Sequence, residues 1–283
     1  MAIFKYEPIT GHIDVAYREH YHPIEMLSHH HNAYEVIFIV EGTVNFSIGS
    51  KDYTAGKNSL LFINNVEDHE YKVLEYPYKR YVIMMKPDFI HSAVNDTLLT
   101  SIFCHRPEHY NHVIQLDLEH VSPVQTFLSF MLNEYKSQKP LWETSLKLIL
   151  YQLMILLYRI SRDNFPQSKY DGTEDHKYNT IIEIQQYIES NYTEEITLAE
   201  LSDLFHIDMY YLCNLFKKIT GYTFKSYLTL QRISKAKELL CSTNDNVTEI
   251  GLSVGFNNLS HFIRTFKKHV GSTPYQYRKN YTK

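Results

Sequence analysis

Four side chains in the first quarter of the chain have the types and spacing to hold a ligand: His29-x-His31-x-x-x-Glu35, followed at a distance by His69. Imidazole nitrogens and a carboxylate suit a divalent transition metal. The same groups, buried without metal, hydrogen-bond the hydroxyls of a small polar molecule. On a strand His29, His31 and Glu35 share parity, because side chains alternate faces, so the three are expected to point into one cavity and His30 to face solvent. Tyr34, Tyr71, Tyr78 and Tyr81 are candidates for aromatic walls around it.

A second chemistry sits at the other end. The formal net charge is −4, but twelve lysines and arginines stand against three acids from Tyr210 onward, so this part carries +9 and the remainder −13. A basic block of this kind is what phosphate binding needs, although a solvated charged surface has the same composition.

Which elements hold these residues can be read from periodicity. Short β-branched and aromatic runs, Glu35 to Val40, Val44 to Ile48, Leu60 to Ile63, Tyr71 to Leu74 and Tyr81 to Met85, alternate with turn signals and predict an antiparallel sandwich or small barrel. From Pro123 to Ile160 the period becomes helical, with Phe127, Phe130 and Met131, then Leu146, Ile149, Leu150, Leu153, Leu156 and Leu157. Residues 163–176 lack periodicity and contain Pro166 and Gly172, which predicts a linker between a domain at 1–162 and another at 177–283.

The second domain contains a repeat. A shift of fifty residues lays Phe216, Lys217, Lys218, Gly221, Thr223 and Tyr227 on Phe266, Lys267, Lys268, Gly271, Thr273 and Tyr277. Each copy opens with a capping-box signal, Thr197 with Glu200 and Asn246 with Glu249. Each restarts at a predicted N-cap, Asp208 and Asn257. The expectation is helix, turn, helix, twice, joined by one helix from about Lys225 to Leu240, roughly 24 Å long. That length sets two recognition helices in successive major-groove segments about 34 Å apart.

The stretches Tyr211-Leu212-Cys213-Asn214-Leu215-Phe216-Lys217-Lys218, Arg232-Ile233-Ser234-Lys235-Ala236-Lys237-Glu238-Leu239-Leu240, Val254-Gly255-Phe256 and Phe262-Ile263-Arg264-Thr265-Phe266-Lys267-Lys268 resemble the AraC/XylS family of regulators. By position, the resemblance implies base-facing side chains at Tyr210, Cys213 and Asn214 in the first unit and Leu259, Ser260, Ile263 and Arg264 in the second; Lys267 is a candidate phosphate contact. Arg264 on a phosphate, and Cys213 in packing, stay open as alternatives. Cys213-Asn214 stands where many relatives carry Ser-Arg, and Ile263 where a small polar residue is usual.

The N-terminal motif resembles the first cupin motif, with Gly42 closing it, His69 in the place of the second motif's histidine and Asn58 in place of a glycine. The fold expected is therefore α+β in two domains: a cupin-like β-barrel with trailing helices that dimerise, then an all-α double helix-turn-helix. The resemblance implies a regulator that binds double-stranded DNA, takes a sugar or related metabolite at His29, His31, Glu35 and His69, forms a homodimer, and engages RNA polymerase if it activates. No cofactor is called for. The rival is a metal-dependent cupin enzyme fused to a DNA-binding domain.

Composition excludes some classes. The most apolar stretch, Leu141 to Ile160, is broken by Glu143, Lys147, Gln152 and Arg159 and reads as a core or interface helix. The N-terminus has no apolar run of the signal-peptide kind, so a cytoplasmic location is expected. Cys104, Cys213 and Cys241 share no metal-ligand spacing and are expected to be reduced thiols.

Overall fold

A computed structural model of the chain describes residues 2–4, 9, 11–29, 31–94, 96–106, 110–164 and 172–281, with the side chains of 2–4, 25, 27–29, 163–164, 172–176, 178 and 281 outside that description. The first part is one sheet of β1 (Ala2–Phe4), β2 (Ile13–His20), β3 (Ile24–His29), β4 (Tyr34–Ile48), β5 (Lys51–Ala55), β6 (Ser59–Ile63), β7 (His69–Met85) and β8 (Val113–Gln115). Its path is β1-β3-β7-β4-β6-β8, with β2 added on β7 and β5 on β4. The runs expected as separate strands at 35–40 and 44–48, and at 71–74 and 81–85, are the halves of two long strands, β4 and β7.

These two strands pair along their length, from Tyr34↔Met85 to Ile48↔His69, with register shifts between Ile39 and Val44. The extra residues bend the sheet so that it curls over itself. Gly42 makes the bend possible. Its φ is +87°, and a Cβ there would stand 2.6 Å from the Pro77 carbonyl oxygen. Asn58, φ 66°, takes the left-handed turn before β6 that the sequence assigns to an asparagine in a glycine's place.

The curled sheet has two apolar faces. Ile37, Ile39, Phe46, Leu61, Tyr71, Val73, Tyr78 and Val82 fill its inside. Val36, Phe38, Leu60, Phe62 and Ile83 form an outer layer covered by the helices α1 (Pro87–Ala93), α2 (Thr97–Cys104), α3 (Leu118–Ser137) and α4 (Trp142–Asn164). Leu146, Leu150, Leu153 and Leu157, expected at a dimer interface, are buried in that layer, while Phe130 and Leu148 stay exposed. No described helix is long and apolar enough to cross a membrane.

The second part is helical: α5 (Gly172–Asn191), α6 (Leu198–Leu204), α7 (Met209–Thr220), α8 (Phe224–Ser242), α9 (Val247–Ser253), α10 (Leu259–Val270) and α11 (Pro274–Tyr281). Of the stretch expected as linker, Asp163 and Asn164 end α4 and 172–176 open α5; residues 165–171 lie outside the described residues. The fifty-residue repeat is visible as geometry. Phe216 meets Tyr227 with ring centroids 5.6 Å apart at 75°, and Phe266 meets Tyr277 at the same distance and angle. Gly221 and Gly271 end α7 and α10 in the left-handed conformation, both at φ 78°.

Candidate effector cluster and nucleic-acid interface

His31 precedes β4 and His69 opens β7, so the pairing of those strands brings both imidazoles to Glu35. Glu35 Oε2 lies 3.2 Å from His31 Nε2 and 3.3 Å from His69 Nε2, and all three residues are buried. The two rings meet edge to face at 5.0 Å. Their other nitrogens are held by the backbone, His31 Nδ1 by the Ala33 carbonyl at 3.0 Å and His69 Nδ1 by that of Glu67 at 3.1 Å. Only an N–H can donate to those carbonyls, so a neutral ring turns the lone pair of Nε2 toward the carboxylate. That arrangement is completed by a proton on the ring, a ligand donor or a cation.

Burial pushes the Glu35 carboxyl up, but hydrogen bonds from His31 and His69 outweigh it and hold the group well below the carboxylate range. In His31 the balance runs the other way. Burial lowers the imidazole further than the Glu35 hydrogen bond raises it. The three side chains are also one of two described groups whose donor atoms are close enough to hold a metal ion together; the other, Asp117, Glu119 and His120, is mostly exposed.

The parity argument needs correcting. The strand breaks between His29, the last residue of β3, and Tyr34, the first of β4, so a turn and not strand alternation puts His31 beside Glu35. The backbone of His29 pairs with His69, and its side chain, like His30 altogether, lies outside the described residues. Tyr71 and Tyr78 do line the interior. Tyr34 points to the outer layer, and Tyr81 packs against it.

In the helical part, α6 and α9 are closed by full capping boxes, Thr197 with Glu200 and Asn246 with Glu249. Asp208 caps α7 through Tyr211 N at 2.8 Å. The cap of α10 is Asn258, through His261 N at 2.8 Å, and not Asn257 as expected. The fifty-residue offset from Asp208 lands on Asn258. The turn before α10 brings Gly255, at φ +90°, where a Cβ would lie 2.7 Å from the Thr193 carbonyl oxygen.

On α7, Leu212 and Phe216 face the core while Tyr210, Cys213 and Asn214 are exposed. The Asn214 amide donates to the Tyr210 carbonyl at 3.0 Å. On α10, Phe262 and Phe266 are buried; Ser260, Arg264 and Lys267 are exposed and Ile263 half-buried. Leu259 packs against the core of its unit. Both helices thus present a polar strip at matched positions with a cation-rich C-terminal turn, Lys217 and Lys218 or Lys267, Lys268 and His269.

Comparison with known proteins places both halves. The profile of the AraC-like ligand binding domain matches residues 12–154, and that of a helix-turn-helix domain residues 201–280. The chain belongs to the AraC family of transcription regulators. It is 25% identical to the HTH-type transcriptional activator RhaS of Enterobacter sp. (strain 638) over 95% of this chain and 93% of that protein. Identity with the uncharacterized HTH-type transcriptional regulator YdiP of Escherichia coli (strain K12) is 26%, over 89% and 80%. A solved structure of ToxT from Vibrio cholerae shares the fold, with a TM-score of 0.57 at 14% identity and coverage of 95% and 98%.

In this AraC-family chain the two halves are joined by a polar seam that carried no signal in the sequence. Glu189 of α5, 5% exposed, accepts on Oε1 from Tyr34 at 2.7 Å, Tyr227 at 2.6 Å, Asn65 at 3.3 Å and Gln231 at 3.4 Å, and meets His91 Nε2 on Oε2 at 2.7 Å. Three of these partners belong to the sensor half and two to α8. Lys86 pairs with Glu238 at 2.9 Å, and the Arg106 amide donates to the Ile219 carbonyl at 2.6 Å. Val66, from the loop before β7, enters the core of the first helix-turn-helix unit. Lys237 of α8 is buried at the same seam, its ammonium pushed down to about 8 by burial against the opposing charge of Asp68, and its charge is felt by His31.

Proposed function

We propose that this AraC-family regulator answers a small polyhydroxy effector, a sugar or related metabolite, bound inside the barrel by His31, Glu35 and His69, with His29 as the fourth ligand-binding residue that the sequence motif suggests. The observation that carries the reading is the position of that cluster: buried in the sensor half, yet within electrostatic reach of Lys237 on α8, the helix shared by both DNA-reading units. A ligand that changes the charge or hydrogen bonding of His31 therefore acts on the seam directly, and its differential affinity for two arrangements of the seam sets the response. DNA is contacted by Tyr210, Cys213, Asn214 and, in α10, Ser260, Ile263, Arg264 and Lys267; Leu259 contributes by packing. A homodimer forms through the exposed side of α3 and α4 around Phe130 and Leu148, and RNA polymerase is the further partner if the protein activates.

The test is thermal unfolding against a panel of sugars, polyols and sugar acids, followed by operator binding. A ligand at a hundred times its dissociation constant stabilises by about 2.7 kcal/mol, a melting shift of several degrees. His31→Ala and Glu35→Gln should lose that shift while keeping operator affinity within about threefold. Normal responses in both variants would sink the assignment.

One observation favours a second reading. Two imidazoles anchored by backbone carbonyls, with their other nitrogens converging on a carboxylate oxygen, are also how a protein orients metal ligands. Elemental analysis of the purified chain separates the two. Stoichiometric zinc, iron, manganese or nickel that Glu35→Gln loses would favour the metal.

A further inference from the structure

Arg80 is out of character with the barrel interior. Tyr71, Val73, Tyr78, Val82 and Met84 of β7 fill the inner core, and Arg80 lies between Tyr78 and Val82 in the same alternation, 4% exposed. Its Nη2 donates to the Tyr71 hydroxyl at 2.7 Å. Its guanidinium carbon stands 5.0 Å from the centroid of the Tyr71 ring and 4.7 Å from that of Tyr78. Such faces attract a cation without neutralising it.

Among the described residues Nη1 has no hydrogen-bond partner, and neither does the hydroxyl of Tyr78. Among the described residues no carboxylate is paired with Arg80. Glu35 is engaged by His31 and His69. His20, opposite Tyr78 on β2, is kept from adding a second positive charge, since burial and then the charges of Arg80 and Arg18 push its imidazole down to about 4. An arginine cannot escape by losing its proton. Inside the barrel a charge and two donors, Nη1 and the Tyr78 hydroxyl, are thus held without a partner among the described residues, a costly arrangement for a folded protein.

The complementary group is an anion with two oxygens. A carboxylate matches two donors and one positive charge, whereas a phosphate brings a third oxygen and a second charge for which this wall has no donor. The acidic cluster is within electrostatic reach of the same tyrosines. The Tyr71 and Tyr78 hydroxyls are pushed up by burial, drawn back by Arg80 and raised again by the charge of Glu35.

We propose that Arg80, Tyr71 and Tyr78 form an anion subsite that takes the carboxylate of an acidic effector, a sugar acid or comparable hydroxy acid, whose hydroxyls reach Glu35, His31 and His69. This deepens the effector reading above and rests on it for the hydroxyl end only.

The experiment is thermal unfolding of the full chain at fixed ionic strength in potassium acetate, gluconate and galacturonate, with chloride as reference and glucose and galactose as neutral counterparts. At least one carboxylate should raise the wild-type melting temperature by several degrees over chloride. Arg80→Met should abolish that rise and, having lost an uncompensated charge, melt in chloride no lower than the wild type. Arg80→Lys, which keeps the charge and loses the fork, should retain less than half of it. Absence of any carboxylate response in the wild type overturns the subsite, whatever the stability of Arg80→Met, and so does a response that survives in Arg80→Met. A neutral sugar that stabilises wild type and Arg80→Met alike, with the carboxylates inert, overturns the subsite and leaves the effector reading standing. A carboxylate response lost in Arg80→Met but undiminished in Glu35→Gln leaves the subsite standing and removes the acidic cluster from the effector site.

Discussion

Glu67 is kept ionised by the donors folded around it. Arg106 Nε lies 2.8 Å and His112 Nε2 2.9 Å from its Oε1. Burial pushes this carboxyl up, but the charge of Arg106 and the His112 hydrogen bond outweigh it and bring it from 4.5 down to about 2. A folded value below the unfolded one means that the stabilisation is complete above about pH 4.5 and is lost as the pH falls toward 2. Denaturant titrations across that window should show a declining stability that Glu67→Gln flattens. At neutral pH the same variant strands a buried arginine and should cost about 3–5 kcal/mol. Residues facing solvent are tested differently. Removing Arg264 should cost about 1–3 kcal/mol at one base pair if it reads a base, whereas Lys267→Ala should weaken all sequences alike and lower the salt slope by about one. Binding titrations on an operator and its single-base variants, at two salt concentrations, tell the two roles apart. A uniform loss for Arg264→Ala would move that side chain to the phosphates. At this scale the sequence was uneven. His31, Glu35 and His69 stood out by type and spacing, but Arg80 did not, because a charge in an alternating strand reads as solvent-facing until the register shows which way it points.

The short helices α6 and α9 bury little, so their ends matter. Each has seven residues and is closed by a reciprocal capping box. Replacing Thr197 or Asn246 by Ala should cost about 1 kcal/mol, read as a shift in the denaturation midpoint. The pair Asn257 and Asn258 gives a sharper comparison. Asn258→Ala removes the hydrogen bond to His261 N and should cost about as much, while Asn257→Ala should be close to neutral. Equal effects would mean that the cap alternates between the two. Helices, caps and repeat were legible because their signals are local, lying within one turn or one fixed offset. Strands were less so. β2 and β3 mix charged and apolar residues and owe their existence to partners on β7 some 40 to 72 residues away. The joining of four expected runs into two long strands rests on bulges that a linear pattern cannot show.

At the scale of the whole molecule, Glu189 is the point where side chains of the sensor half and of α8 meet on one carboxylate. Five donors from both halves converge on one carboxylate, across sequence separations of up to 155 residues, which is why no local pattern announced it. Glu189→Ala leaves the hydroxyls of Tyr34 and Tyr227 buried without an acceptor, at about 1–3 kcal/mol for each. Hydrogen exchange should then speed up in β4 and α8 together, ahead of the barrel interior. If β4 and α8 stay as protected as in the wild type, the seam is not held by this residue. The helix α8 has a consequence of another kind. Tyr227, Leu228 and Leu230 near its start belong to one unit's core, and Ile233, Ala236 and Leu240 to the other's, so it cannot be lengthened or shortened without spoiling both. The length of α8 therefore fixes the phase between the two helix-turn-helix units, and a DNA site that engages both must match it. One base pair inserted between the two protected segments turns the second by about 34° and should already weaken binding, and five, half a helical turn, should reduce the footprint to a single segment.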